Sequence, residues 1–120
     1  VAKSKNDNTR YRKGMGAEWL ACALLFAKNY RIIARRWRTP MGEIDILAAK
    51  DDTLILVEVK YRRTITAALE SVSAHQQQRL MRAANYAAAR YPRYAVRRWD
   101  MIAIAPWAWP QHIVSVWAEG

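Results

Sequence analysis

The apolar positions of this chain fall into a helical block followed by short β-type runs. From Lys13 to Lys28 the residues Leu, Ala, Met and Trp dominate, and Glu18 is the sole charge between Gly14 and Ala27. That predicts a helix, with Asn29 supplying a left-handed cap. Tyr30 to Arg38 has β-type composition, and Thr39-Pro40-Met41-Gly42 reads as a turn. Glu43 to Ala49 is a second strand, Lys50-Asp51-Asp52-Thr53 the next turn, and Leu54 to Tyr61 a third strand. The third strand is apolar on both faces apart from Glu58 and Lys60, the pattern of a central strand covered by helices on both sides. Ser73 and Gln76 have capping-box spacing. They open a helix that runs to about Arg90 and stops near Pro92. Leu80, Met81, Ala84, Ala88 and Tyr91 form its apolar stripe. Strands over Tyr94–Ala105 and His112–Ala118 complete an α/β order, α-β-β-β-α-β-β: a mixed central β-sheet flanked by helices. Residues 1 to about 12 read as a mobile basic arm, and 13–120 as a single domain.

Composition narrows the class. Apolar residues make up 52% of the 120, enough for a core and too many for a disordered chain. Twenty Lys and Arg against ten Asp and Glu give a formal net charge of +10. So large an excess points to a polyanionic partner, nucleic acid or an anionic surface; solubility alone is the alternative. Cys22 is the one cysteine, which excludes a disulfide or a cysteine metal cluster within the chain and reads as a buried, inert thiol. The longest apolar run, Trp19 to Ala27, falls short of the ~20 residues of a membrane span. Val1 to Gly14 is polar and basic, unlike a secretory signal, so no membrane association and a cytoplasmic location are expected.

Strand register brings the chemistry together. A two-residue turn at Asp51-Asp52 pairs Lys50 with Thr53, and a four-residue turn pairs Ala49 with Leu54. Both give one register, and both set Asp45 opposite Glu58 on a shared face, with Cβ atoms roughly 5 Å apart. Lys60 follows on that face roughly 7 Å along. A three-residue turn would send one strand's side chains to the other side. Opposed carboxylates repel unless a cation lies between them. Hard oxygen ligands beside a phosphate-seeking surface suggest Mg²⁺ or Mn²⁺, with Lys60 as a point charge for phosphate or water. On spacing alone, a structural Glu58–Lys60 pair with Asp45 incidental fits equally well.

The wider constellation is more specific. It comprises Gly42-Glu43-Ile44-Asp45-Ile46-Leu47 and Leu56-Val57-Glu58-Val59-Lys60 followed by Arg62. Gly16-Ala17-Glu18 stands in the early helix, Arg79-Leu80 and Ala83-Ala84 in the later one, and Arg98-Trp99-Asp100 opens the fourth strand. Over roughly Gly14 to Val116 the chain resembles the PD-(D/E)XK restriction-endonuclease-like superfamily and, within it, the YraN-type family of small bacterial proteins. The resemblance implies that Asp45 and Glu58 are metal-binding acids, joined by the backbone carbonyl of Val59, and that Lys60 is the catalytic lysine. It also implies that Glu18 reaches the same metal, as the helical acid does in similar Holliday-junction-resolvase-like nucleases; a structural pair with a nearby Arg is the alternative for this lone helical acid. The expected activity is Mg²⁺- or Mn²⁺-dependent endonucleolytic hydrolysis of phosphodiester bonds in nucleic acid, DNA first and branched DNA included. A non-catalytic nucleic-acid-binding or assembly protein on the same fold is the alternative. The chain departs from the family in having Trp37 where Asn is common and Gln76 where Lys is common.

Arg35, Arg36, Arg38, Arg62 and Arg63 flank these motifs and are expected on the phosphate backbone, together with Gln76. Glu43 reads as an arginine partner and Asp100 as a structural acid. Trp37 and Trp99 read as core aromatics. His75 and His112 lack the spaced partners of a zinc site. Trp107-Ala108-Trp109, between prolines, is either a subunit contact of a homodimer or packs back onto its own domain.

Overall fold

The computed structural model describes the backbone of residues 5–119 and the side chains of residues 16–116. Its elements are α1 (Lys5–Ala27), β1 (Arg31–Thr39), β2 (Gly42–Lys50), β3 (Thr53–Tyr61), α2 (Ile65–Leu69), α3 (Ala74–Arg90), β4 (Val96–Ile104) and β5 (Gln111–Glu119). The strands form one sheet in the order β1-β2-β3-β4-β5. Every neighbouring pair is antiparallel except β3–β4, which is parallel. The expected mixed sheet flanked by helices is therefore present, in the expected order. Helix α1 begins ahead of Lys13, and residues 1–4 of the expected arm lie outside the described residues. Helix α2 is an addition: five residues long, it is too short for periodicity to reveal, and Thr64 caps it by accepting the Ala67 N–H.

The β2–β3 hairpin closes on the even turn, with Lys50 opposite Thr53 and Asp51 in the left-handed conformation (φ 54°) that such a tight turn needs. Alternation then sorts the sheet's two faces. Ile46, Ala48, Ile55 and Val57 meet Ala21, Cys22 and Leu25 of α1. Leu47, Ala49, Leu54 and Leu56 meet Leu80, Ala83, Ala84 and Ala87 of α3, whose alanines let the helix sit close. Parallel strands need a crossover connection, and α2 and α3 supply it across the second face. Trp99 is buried in this second core, and Trp37 packs beside it with ring centroids 5.6 Å from Tyr86 and 6.0 Å from Tyr91.

On the α1 side, the buried acid Asp100 ties β5 to the rest. Its carboxylate accepts hydrogen bonds from Arg98 Nε (2.8 Å) and Nη2 (2.9 Å), lies 2.8 Å from His112 Nε2, and accepts the Ser115 N–H at 3.0 Å. Ser115 lies in the left-handed region (φ 58°) where extra residues of β5 bulge out opposite Asp100. Arg98 also donates to the Tyr30 hydroxyl, and His112 Nδ1 lies 2.9 Å from Lys28 Nζ. Asp100 is thus the structural acid expected, and His112 is its partner. Among the described residues, no helix is long and apolar enough to cross a membrane.

Candidate active site

The β2–β3 ladder runs in register from Lys50↔Thr53 to Ile46↔Val57 and stops there. The next pair in that register is Asp45 and Glu58. At this point the side chain of Asp45 takes over from the backbone: its Oδ2 accepts the Val59 N–H at 2.7 Å. A strand residue's N–H and C=O point to the same side, so the Val59 carbonyl also faces β2 where the ladder has ended. Asp45, Glu58 and Val59 thus come together where sequence register places them.

Glu58 is one of two buried acids among the described residues, at 4% exposure. Its Oε2 accepts from Gln76 Nε2 at 3.2 Å and from Arg79 Nη2 at 3.4 Å, both from α3. Burial, and then hydrogen bonding and charge repulsion from the adjoining Asp45 carboxyl, push its pKa up to about 8, against the pull of Lys60 and Arg79. A carboxyl group so placed holds a proton at neutral pH unless a cation replaces it. Lys60 is half-buried beside this pair and acts on Glu58 through its charge; among the described residues no group hydrogen-bonds or ion-pairs with it.

Glu18, expected at the same metal, is held here by two arginines. Helix α1 packs on the face of Ile46 and Val57, and Glu18 accepts from Arg36 Nε at 3.0 Å and pairs with Arg35 at 3.7 Å. Consecutive strand residues normally alternate between faces. Both arginines reach one acid because Arg36 is left-handed (φ 51°), opposite Asp45 in β2. Among the described residues no three His, Cys, Asp or Glu side chains converge as a metal-ligand group.

The remaining expected contacts divide. Arg35 and Arg36 are engaged with Glu18, and Arg35 also lies 3.9 Å over the Trp19 ring. Arg38 is exposed and 4.0 Å from Glu43, which is the arginine partner anticipated. Arg62 and Arg63 are exposed just past β3. Gln76 is turned inward onto Glu58. Only half of the capping box forms: Ser73 accepts the Gln76 N–H, but the Gln76 side chain serves the acid instead.

Arg79 is the residue that sequence reasoning missed as part of this cluster. It spans Glu58 and the Glu43 carbonyl (3.3 Å) and crosses Gly42, where φ is +117° and a Cβ would stand 3.0 Å from Arg79 Nη1. Its signal was spacing: three residues after Gln76, it lies on the same helix face.

Comparison with known proteins gives a family match over most of the chain. The model of the uncharacterised protein family UPF0102 matches residues 17–104. The chain is 44% identical to a UPF0102 protein of Chelativorans sp. (strain BNC1) over 110 residues, 90% of this chain and 89% of that one. It is 44% identical to one of Mesorhizobium japonicum over 112 residues, 92% and 90% of the two chains. With one of Parvibaculum lavamentivorans it shares 45% over 109 residues, 89% and 82%. The match takes in α1 from Ala17, β1 to β4 and the whole acid–lysine cluster, and on this ground the chain belongs to the UPF0102 family.

Proposed function

We propose that this protein is a PD-(D/E)XK-type nuclease that hydrolyses phosphodiester bonds in DNA with Mg²⁺ or Mn²⁺. The observation that carries the reading is the meeting of Asp45 and buried Glu58 at the end of the β2–β3 ladder, with Lys60 beside them on the same strand. Two hard carboxyl groups, one kept protonated by burial and by its neighbour, fit a divalent cation, which favours the ionised form of both. Asp45, Glu58 and the Val59 carbonyl would hold it. When bound, such an ion supplies positive charge to a phosphate and lowers the pKa of water. Lys60 Nζ neutralises a phosphate oxygen and orients water as a point charge. Gln76 and Arg79 fix the Glu58 carboxyl, and the exposed Arg62 and Arg63 bind the phosphate backbone.

A non-catalytic nucleic-acid-binding role has one observation in its favour: Arg35 and Arg36 hold Glu18, leaving two acids rather than three at the cluster. One experiment separates the readings. The protein is incubated with duplex, single-stranded and branched DNA in Mg²⁺ and in Mn²⁺, alongside Asp45→Ala and Lys60→Ala. The nuclease reading expects cleavage that EDTA abolishes and that falls by at least about a hundredfold in either variant. Binding without turnover, or turnover indifferent to both substitutions, decides for the alternative.

A further inference from the structure

Among the described residues the two most exposed large apolar side chains are Trp107 and Trp109, at 104% and 88%. They do not pack back onto their own domain, and no described group forms a ring contact or hydrogen bond with either indole. Pro106 and Pro110 flank them and fix φ on both sides. Trp107 itself lies in the left-handed region (φ 61°), which bulky residues seldom adopt; strain of this kind concentrates at ligand clamps.

The position of this loop follows from the parallel pair. Lys60 is opposite Ala103 and Tyr61 opposite Ile104, and the Arg62 N–H donates to the Ile104 carbonyl at 3.0 Å. Both strands therefore end at one rim of the sheet. That rim carries Lys60, Arg62 and Arg63 from the β3 side and the two indoles from the β4 side. A second copy would bring like-charged rims together, whereas a strand of nucleic acid offers phosphates to the arginines and flat rings to the indoles. Bases inside a continuous duplex are already stacked on one another; unpaired bases have faces free for tryptophan.

We propose that Trp107 and Trp109 form a stacking platform for unpaired bases, leading a single-stranded segment past Arg62 and Arg63 toward Lys60. The proposal rests on the nucleic-acid reading above and names the substrate class of the same site. It is tested with the full chain in EDTA, by fluorescence anisotropy of a labelled oligothymidylate and of a labelled duplex of equal length. The double variant Trp107→Ala, Trp109→Ala is expected to bind the single strand about tenfold or more weakly while keeping its duplex affinity. Trp107→Phe with Trp109→Phe, which keeps flat rings, recovers most of the loss. Circular dichroism verifies that both variants are folded. Equal losses on both ligands, or no loss on either, overturn the platform and leave the nucleic-acid reading standing. A change in sedimentation mass with single-strand affinity intact overturns it in favour of a subunit contact. Failure of the unaltered protein to bind either ligand removes the nucleic-acid reading itself.

Discussion

At Glu58, burial and the Asp45 carboxyl favour the neutral acid, while Lys60 and Arg79 favour the ion. The balance gives a pH dependence with a definite sign. Because the folded-state value, about 8, lies above the ordinary 4.5, the folded protein binds the extra proton between those limits. Its stabilising contribution is complete below about pH 4.5 and is lost as pH rises through about 8. In EDTA the stability should therefore fall from mildly acidic to mildly alkaline pH by an amount on the order of a few kcal/mol, read as a falling thermal midpoint. Glu58→Gln, neutral throughout, should flatten that fall and abolish turnover. Parallel slopes in the two proteins would show that Glu58 is ionised in the folded state. The Cys22 thiol, pushed up by burial, stays protonated and inert over the same range.

At the scale of elements, the β1–β2 turn and α3 meet at one point. Gly42→Ala would impose a side chain on a φ of +117° and press its Cβ against Arg79. We expect a loss of more than about 1 kcal/mol by urea denaturation, with an unchanged m-value. No measurable loss would mean that the turn relaxes freely away from α3. The hairpin carrying Asp45 and Glu58 was legible because the even turn at Asp51-Asp52 fixes register, and register fixes faces. For Glu18, pairing with a nearby arginine was legible only as the alternative, and its two partners were not. Their meeting depends on the left-handed conformation of Arg36, and an arginine in that conformation leaves no trace in composition. Arg79 was overlooked for a different reason: its partner Glu58 lies on another element, and no local pattern joins the two.

For the whole molecule, the α1 face depends on a polar network as well as an apolar core. Burial raises the pKa of Asp100, but the hydrogen bonds from His112, Arg98 and the Ser115 N–H reverse this and leave it below the ordinary carboxylate range. Asp100→Ala strands Arg98 and His112 beside a buried gap. Global stability should fall by about 3–5 kcal/mol in urea denaturation. A loss below about 1 kcal/mol would mean that the apolar contacts alone hold β5. The fold class could be read from strand composition and helix stripes, since adjacent antiparallel strands follow from short turns. The Asp100–His112 pair could not, because it forms across a loop and a bulge whose course only the folded chain fixes.

The parallel pairing of β3 with β4 also separates the acid pair in sequence from the groups that offset it. The β2–β3 hairpin is local and unites Asp45 with Glu58, yet alone it offsets the two acids only with Lys60. Relief from Gln76 and Arg79 comes from α3, in the crossover that leads to β4. The acid pair made by one local hairpin is thus offset by groups from a distant element, so loosening α3 from the sheet would leave the two carboxyls facing each other without Gln76 and Arg79.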